Sequence, residues 1–336
     1  MPVDEGDVIV AGLQALAGNL ARRGCQISDL RRLSGGASQQ TWAFVLVTAD
    51  GDVPLILRRA PPLQGERDVG SAGLATEAAL IDAARAVGVP APAVRHVLQP
   101  ADGIGKGFVM DRIAGETLGR RIVREPRLAG ARRVLAQQCG RTLARIHRVP
   151  LSVLPSLRRA GARGELDFQQ ALHRRHGTVR PVFEIAFQWL AANLPVAETA
   201  PVLVHGDFRN GNLIVDEAGL CAVLDWELAH IGDPMEDLGW LCVNSWRFGR
   251  DDLPVGGFGT RQALFDGYAA EGGTVDTDRV RFWEVLGTLK WGIVCETMAQ
   301  AWLDGSERDI EKAVIGRRAS EAEIDLLALL APEGAG

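Results

Sequence analysis

The chain has 336 residues, 47% of them hydrophobic, which is enough for one large domain or two ordinary ones. Its formal net charge of -5 gives no general basic surface, so nucleic acid is not an expected partner. The five cysteines are scattered and contain no C-x-x-C pair, which argues against a disulfide framework and against a zinc site.

The N-terminal sequence, MPVDEGD, lacks the charged and then apolar pattern of a signal peptide, and no apolar run reaches about 18 residues. These features predict a cytoplasmic protein without a membrane partner. The sequence does not indicate an oligomeric state.

The first third predicts a small antiparallel sheet with two helices. Apolar residues at helical spacing indicate helices at 8–20 and 72–87, and β-branched runs bounded by Gly, Pro and Asp indicate the strands. The predicted strands are 27–33, 41–48, 53–57, 94–98 and 107–111.

The break between the first two strands reads Ser-Gly-Gly-Ala-Ser and contains Gly35, Gly36 and Ser38. Small residues there allow backbone N–H groups and the Ser38 hydroxyl to approach a phosphate closely. A Gly-Gly hairpin turn explains the same residues equally well.

The third strand ends in two arginines, and strand alternation places them on opposite faces. Ile56 and Arg58 share one face, while Leu57 and Arg59 share the other. Whichever face lines a cleft therefore supplies one apolar contact and one cation. We favour Arg58.

The C-terminal two thirds is predicted to be mainly helical, around one strand-turn-strand unit with apolar runs at 213–215 and 221–224. Asp207 and Asn212 precede the first run, and Asp225 follows the second. The predicted helices are 126–147, 167–176, 181–194, 235–243, 260–270, 277–302, 306–316 and 320–330.

Two carboxylates and an amide therefore converge at one end of a hairpin. Phosphoryl transfer requires a carboxylate for the attacking hydroxyl and oxygen ligands for Mg²⁺, and Asp207, Asn212 and Asp225 match these needs. The five-residue spacing from Asp207 to Asn212 equals the spacing in the protein-kinase catalytic loop. The alternative is that these residues only form turns and caps.

The string His205-Gly206-Asp207 through Asn212, followed by Asp225-Trp226-Glu227, resembles the H-G-D-x-x-x-x-N and D-x-E/D signatures of the aminoglycoside phosphotransferase and choline kinase-like family. The resemblance covers roughly 27–330. It implies a bilobal, protein-kinase-like α/β (α+β) fold, with ATP and Mg²⁺ between a sheet lobe at 1–112 and a helical lobe at 113–336. GTP in place of ATP is not excluded.

The resemblance also assigns roles. Asp207 would deprotonate an acceptor hydroxyl, and Asn212 and Asp225 would hold the metal. Arg58 stands where the family usually has a lysine, with Glu77 as its ion-pair partner, and Arg209 would face either the transferred phosphate or solvent. The residues implied at the nucleotide are Gly35, Gly36, Ser38, Ile56, Arg58, Glu77, Met110 and Arg112.

The acceptor is expected to be a small-molecule alcohol. Helix 277–302 carries Trp283, Gly287, Lys290 and Trp291 along one side, so any part facing the cleft is predicted to be apolar with one cation. The surrounding string also resembles the family branch associated with acyl-CoA dehydrogenases. Together these favour an apolar or hydroxyacyl-CoA-type alcohol over an aminoglycoside.

Two other functions fit parts of the sequence. A metal-dependent hydrolase would use His205 and Asp207 as an H-x-D ligand pair, although no further suitably spaced histidine occurs among the six in the sequence. A nucleotide-binding pseudokinase acting by association is suggested by the arginine that replaces the usual lysine. Both alternatives remain open at the level of sequence.

Overall fold

The structure is a computed structural model that describes residues 5–20, 25–33, 39–61, 72–196, 199–306 and 308–331. Its N-terminal part contains a five-stranded antiparallel sheet with strand order β1-β2-β3-β5-β4. The strands are β1 (Gln26–Arg32), β2 (Gln40–Thr48), β3 (Gly51–Arg59), β4 (Val94–Val97) and β5 (Gly107–Asp111). All five predicted strands are present.

Each face of this sheet packs on a different helix. Helix α1 (Glu5–Leu20) covers one face, where Leu55 and Leu57 are buried in a small hydrophobic core that is separate from the main core. Ile56 and Met110 point to the opposite face, which belongs to the main core together with helix α2 (Leu74–Ala86). Because side chains alternate along β3, the two neighbouring arginines at its end reach different surroundings.

The remainder is mainly helical. The helices that follow are α3 (Gly119–Arg124), α4 (Ala129–His147), α5 (Ala162–His176), α6 (Pro181–Ala192), α7 (Met235–Cys242), α8 (Arg261–Ala270), α9 (Thr277–Leu303), α10 (Ile310–Gly316) and α11 (Ala319–Leu330). The predicted helices match these except α3, which was missed because it spans only six residues. The predicted boundary between residues 112 and 113 falls between β5 and α3, and it stays a prediction.

Two short antiparallel pairs support the central loop. Strands β7 (Leu213–Asp216) and β8 (Gly219–Val223) form the predicted hairpin. Strands β6 (Val202–Val204) and β9 (His230–Gly232) pair with each other and were not predicted, because three residues are too few to show a strand period. The loop that carries Asp207 therefore begins and ends in a strand.

None of the helices in the described ranges combines the length and the apolar character that a membrane span requires.

Helices α4 and α8 approach each other closely through glycines. A Cβ on Gly140 would lie 2.0 Å from the Leu264 carbonyl oxygen, and one on Gly267 would lie 2.1 Å from the Gln137 carbonyl oxygen. Both contacts are with backbone, which cannot rotate away. The contact holds α4 and α8 together and therefore also places His147 and Tyr268 near each other.

We expect Gly140→Ala to destabilise the protein by about 1–3 kcal/mol or more, because the added methyl group forces α4 and α8 apart. Urea denaturation followed by circular dichroism measures this change. Gly164 in α5 is the matched control, since among the described residues its added Cβ would meet no atom within 4 Å beyond its own turn of helix, and alanine there should be neutral or stabilising. Equal stability of the two variants would contradict the close packing.

Candidate active site

Asp207 lies in the loop between β6 and β7 with its carboxylate held by three donors. Arg209 Nε and Trp240 Nε1 each donate to Oδ1 over 2.9 Å, and Asn212 Nδ2 donates to Oδ2 over 2.6 Å. The side chain is 13% exposed, so a small part of it remains accessible. The predicted neighbours Asp207 and Asn212 are therefore in direct contact, and Trp240 is a partner that the sequence did not reveal.

A buried carboxylate fixes the start of this loop. Asp237 in α7 accepts the backbone N–H of His205 at 2.8 Å through Oδ2 and that of Gly206 at 2.9 Å through Oδ1. Its Oδ2 also contacts His147 Nε2 at 3.1 Å, and His147 Nδ1 contacts the Tyr268 hydroxyl at 2.8 Å. Burial acts to raise the pKa of Asp237, but His147 and the loop amides together lower it, so the carboxylate stays charged.

The glycine in the loop is required by both conformation and space. Gly206 has φ +79°, and a Cβ there would lie 2.5 Å from the carbonyl oxygen of Leu228. A side chain at this position would therefore be strained and would also clash with backbone. The close approach lets the loop pass over the segment that leads from β8 to β9.

His205 supports the loop from inside and is not a metal ligand. Its Nδ1 accepts the backbone N–H of Asp207 at 3.2 Å, and its Nε2 lies 3.1 Å from the carbonyl oxygen of Leu224. Burial lowers the pKa of His205, so the ring is neutral, with Nε2 as the donor. Because both ring nitrogens are used, the H-x-D ligand pair expected of a hydrolase is wrong.

Asp225 follows β8 and contacts the arginine at the end of β3. Arg58 Nη2 lies 2.6 Å from Asp225 Oδ1 and 3.6 Å from Glu227 Oε2, and Arg58 Nε lies 3.3 Å from Glu77 Oε2. The expected pair between Arg58 and Glu77 is thus present. Asp225 has φ +66°, a left-handed conformation that non-glycine residues seldom adopt and that is concentrated at functional sites.

The two arginines of β3 have separate surroundings. Arg58 is 14% exposed at its side chain and faces three acidic groups, whereas Arg59 Nη2 pairs with Glu5 of α1 at 3.1 Å. Burial alone would lower the pKa of Arg58, but Glu77, Asp225 and Glu227 raise it, so its charge is secure. Arg58 is consequently the arginine that lies beside Asp225.

The pairing also affects Glu77, which is buried in α2. Burial raises the pKa of Glu77 to about 7, because the cation of Arg58 offsets only part of the desolvation and the charges of Asp225 and Glu227 add to it. Glu77 therefore titrates near neutral pH in the folded protein.

The other residues predicted at the nucleotide have three locations: the sheet face that presents Arg58, the end of β5, and the part of the chain that the structure does not describe. Ile56 and Met110 are cross-strand partners on the face that also presents Arg58. The Arg112 backbone N–H donates to the carbonyl oxygen of Pro54 at 3.1 Å, just after β5 ends. Gly35, Gly36 and Ser38 fall outside the described residues.

The oxygen atoms of Asn212 and Asp225 that remain free to bind a metal suit a hard cation better than a soft one. Asn212 uses its amide nitrogen toward Asp207, which leaves its carbonyl oxygen, and Asp225 has a second carboxylate oxygen beyond the one bound by Arg58. Within the described ranges no three His, Cys, Asp or Glu side chains cluster as a metal site. This sparse set of donors suits Mg²⁺, which usually takes one or two protein oxygens and completes its shell with phosphates and water.

Arg209 is held by two partners. Besides its bond to Asp207, its guanidinium lies 4.5 Å from the centroid of the Trp246 ring. Trp246 packs against Trp240 and Trp291. Arg209 is therefore not the solvated loop arginine that sequence left open, and it lies next to the candidate base.

The predicted aromatic side of α9 divides between two environments. Trp283, Gly287 and Lys290 line a crevice next to Trp240, whereas Trp291 packs into the tryptophan cluster. The opposite wall of the crevice is polar and was not predicted, because its residues come from α5 and α7. They are Glu165, Gln169 and Glu236.

Sequence comparison identifies a known family for the chain. The phosphotransferase enzyme family matches residues 29–283 of the chain. The chain belongs to the phosphotransferase enzyme family. This match confirms the predicted family. It also confirms the prediction that the protein is a phosphotransferase.

One curated relative resembles part of the chain. The chain is 31% identical over 228 residues to acyl-CoA dehydrogenase family member 10 of Mus musculus, covering 64% of this chain and 20% of the mouse protein. The chain therefore spans about a fifth of that relative.

Solved structures share the fold at low sequence identity. A candidate aminoglycoside phosphotransferase from Ralstonia eutropha has a TM-score of 0.74 at 19% identity, covering 95% of this chain and 97% of that one. A thermostable mutant of aminoglycoside phosphotransferase APH(4)-Ia, in a ternary complex with AMP-PNP and hygromycin B, has a TM-score of 0.61 at 18% identity, covering 95% and 97%. The predicted kinase-like fold is confirmed.

The titration of Glu77 gives a test of stability. The pKa of Glu77 in the folded protein lies above the unfolded value of 4.5, so folding favours the protonated carboxyl group. The contribution of Glu77 to folding stability is therefore fully present below about pH 4.5 and is lost as pH rises through about 7. The melting temperature of wild type relative to Glu77→Gln should therefore fall between pH 5 and pH 8. A difference between the two proteins that stays constant, or grows, with pH would contradict the raised pKa.

Proposed function

We propose that this protein is a kinase that transfers the γ-phosphoryl group of ATP to a hydroxyl group of a small molecule, with Mg²⁺. The observation that carries the proposal is the 2.6 Å hydrogen bond from Asn212 to Asp207, together with the 2.8 Å backbone hydrogen bond from Leu224 to Asn212, which brings the neighbouring Asp225 and its partner Arg58 to the same place. Phosphoryl transfer depends on positioning and electrostatic stabilisation, and these side chains supply both.

Asp207 would orient the acceptor hydroxyl and take its proton. Oδ1 already accepts two hydrogen bonds and Oδ2 accepts one, so the remaining acceptor capacity lies mainly on Oδ2. The hydroxyl proton would move to this oxygen as the hydroxyl oxygen attacks the γ-phosphorus, and the bond from the γ-phosphorus to the β–γ bridging oxygen would break, releasing ADP. Trp240 and Arg209 keep the carboxylate fixed meanwhile.

The phosphates of ATP would bind near Arg58 and the proposed metal site. Arg58 can fork across two phosphate oxygens, and Glu77 holds it from behind. Asn212 and Asp225 would hold Mg²⁺, which when bound neutralises charge on the transferring phosphoryl group. Arg209 is the nearest further cation to Asp207 and would stabilise negative charge on the same group.

AMP-PNP in the APH(4)-Ia complex supports ATP as the donor. GTP is not excluded. For the acceptor we favour an apolar-bodied alcohol, hydroxyacyl-CoA compounds included, over an aminoglycoside. The support is the tryptophan-lined side of the crevice and the similarity to an acyl-CoA dehydrogenase family member. Hygromycin B in the same complex shows only what that enzyme binds.

The proposal is tested by acceptor-dependent ADP formation from ATP and Mg²⁺, with mass spectrometry to detect addition of one phosphoryl group to members of a panel of hydroxylated metabolites. Asp207→Asn should lower turnover by ~10²–10⁴ while nucleotide still binds. The exposed Asp252→Asn is the matched control and should be unaffected. ATP binding without turnover on any acceptor would favour a pseudokinase, and near-normal turnover of folded Asp207→Asn would remove Asp207 as the base.

A second test separates the two arginines of β3. Arg58→Ala should weaken ATP binding by about tenfold or more, because it removes the cation beside Asp225, whereas Arg59→Ala should leave affinity nearly unchanged. Isothermal titration with AMP-PNP and Mg²⁺ measures both. The reverse pattern would mean that Arg59, on the sheet face covered by α1, contacts the nucleotide.

A further inference from the structure

Lys290 in α9 lies close to the candidate base without forming an ion pair with it. Its ammonium lies over the Trp240 ring, 5.0 Å from the centroid of the ring. The indole N–H at the edge of the same ring donates to Asp207 Oδ1 at 2.9 Å. One indole ring therefore connects an ammonium group to the carboxylate of Asp207.

The Lys290 ammonium has no carboxylate partner of its own. Within the described ranges, Lys290 forms no ion pair and no hydrogen bond. The two acids that share the crevice with it, Glu165 and Glu236, are bound to other side chains. Burial acts to raise the pKa of Glu165, but the charges of Lys290 and Arg158 lower it, so the ammonium acts on Glu165 from a longer distance. The group in contact with the charge is therefore the Trp240 ring.

The Trp240 ring is packed too tightly to turn between these two partners. It is 6% exposed and packs against Trp246, with 5.2 Å between the ring centroids. On the α9 side, a Cβ added to Gly287 would lie 3.0 Å from the ring, so the helix passes very close to it one turn before Lys290. A single ring orientation therefore sets both the hydrogen bond to Asp207 and the position of the ring face under Lys290.

A cation over an indole ring changes how well the ring donates a hydrogen bond. The positive charge attracts the π electrons of the ring, which leaves the N–H group more positive. A more positive donor strengthens a hydrogen bond whose acceptor is a charged carboxylate. At Asp207 the strengthened bond falls on Oδ1, the oxygen that Arg209 also binds, whereas Oδ2 accepts from Asn212 and keeps the remaining acceptor capacity.

We propose that Lys290 is a positioning residue for phosphoryl transfer. Its charge strengthens the hydrogen bond from Trp240 to Oδ1, and this bond holds the Asp207 carboxylate with Oδ2 directed at the acceptor hydroxyl. Lys290 itself contacts neither the acceptor nor ATP. The role rests on the proposed function, since it takes Asp207 as the base.

The coupling between Lys290 and the Trp240 N–H is tested first, without any ligand. The indole ¹H–¹⁵N resonance of Trp240, assigned by its loss in Trp240→Phe, should move upfield in Lys290→Met, because a weaker hydrogen bond deshields the proton less. Lys290→Arg keeps the charge and should restore the wild-type position. In the Asp207→Ala background, where the acceptor oxygen is gone, the shift caused by Lys290→Met should be much smaller.

Turnover is then measured with ATP, Mg²⁺ and 3-hydroxybutyryl-CoA, one of the acceptors that the proposed function favours. Trp240→Phe should lower kcat by about tenfold or more, the effect of one lost hydrogen bond to a charged group. Lys290→Met should lower kcat by about two- to fivefold, the range of a cation–π contact, and leave KM for ATP and for the acceptor unchanged. In the Trp240→Phe background, Lys290→Met should cause no further loss, because the two residues act as one unit.

Lys312→Met is the matched control. It removes the same charge from α10, which packs on α9 at Ala299, nine residues or about 13 Å along the helix from Lys290. This variant should change neither kcat nor the Trp240 resonance.

Other results overturn the proposal. An unchanged Trp240 resonance in Lys290→Met, or an equal shift in the Asp207→Ala background, shows that the charge does not act through this hydrogen bond. An unchanged kcat in Lys290→Met, with or without a higher KM for the acceptor, shows that Lys290 does not position the base. Equal losses of kcat with and without Trp240 do the same. If 3-hydroxybutyryl-CoA is not phosphorylated, the favoured acceptor fails, and the resonance experiment alone decides whether Lys290 acts on Asp207 through Trp240.

Discussion

The carboxylate of Asp237 is the contact on which the candidate site depends. It receives two consecutive backbone N–H groups from the loop that carries Asp207, and it does so from inside the protein, where it is completely buried. A charged group at that depth is costly unless several donors surround it, and His147 provides a further one. The loop, α4, α7 and α8 are thereby fixed to one point, and the position of the candidate base follows from that point.

Further hydrogen bonds fix Asp207 itself. His205 is neutral and supports the Asp207 amide, while Asn212, Arg209 and Trp240 hold the Asp207 carboxylate. Arg209 and Asn212 belong to the same loop as Asp207, whereas Trp240 belongs to α7, so the carboxylate is held both by its own loop and by a neighbouring helix. A base that is held in this way needs little rearrangement when an acceptor arrives, which is the general advantage of a preorganised site.

Sequence predicted what depends on short-range spacing. The hairpin, the offset from Asp207 to Asn212 and the opposite faces of Arg58 and Arg59 all follow from strand alternation and turn chemistry, and the structure contains each of them. The strand pair β6–β9 could not be predicted, because its two members are short and widely separated.

Two residues of the candidate site were not predicted for the same reason. Asp237 lies 32 residues from His205, and Trp240 lies 33 residues from Asp207, so no local pattern joins them. The crevice likewise combines a polar wall from α5 and α7 with the side formed by α9, and the helical period of α9 could indicate only its own side. Long-range pairing of this kind is set by the packing of helices, which a single sequence does not display.

The contact of Arg58 with Asp225 has a thermodynamic consequence. Without a ligand, the guanidinium and the carboxylate neutralise each other. Under the proposed function, a phosphate that drew the guanidinium away would leave a carboxylate in need of positive charge, and a cation at Asp225 would likewise release the guanidinium for phosphate. Nucleotide and metal should consequently enhance each other's affinity by an equal factor, because such coupling is reciprocal. The ion pair would then act as a placeholder that favours joint loading over the binding of either ligand alone.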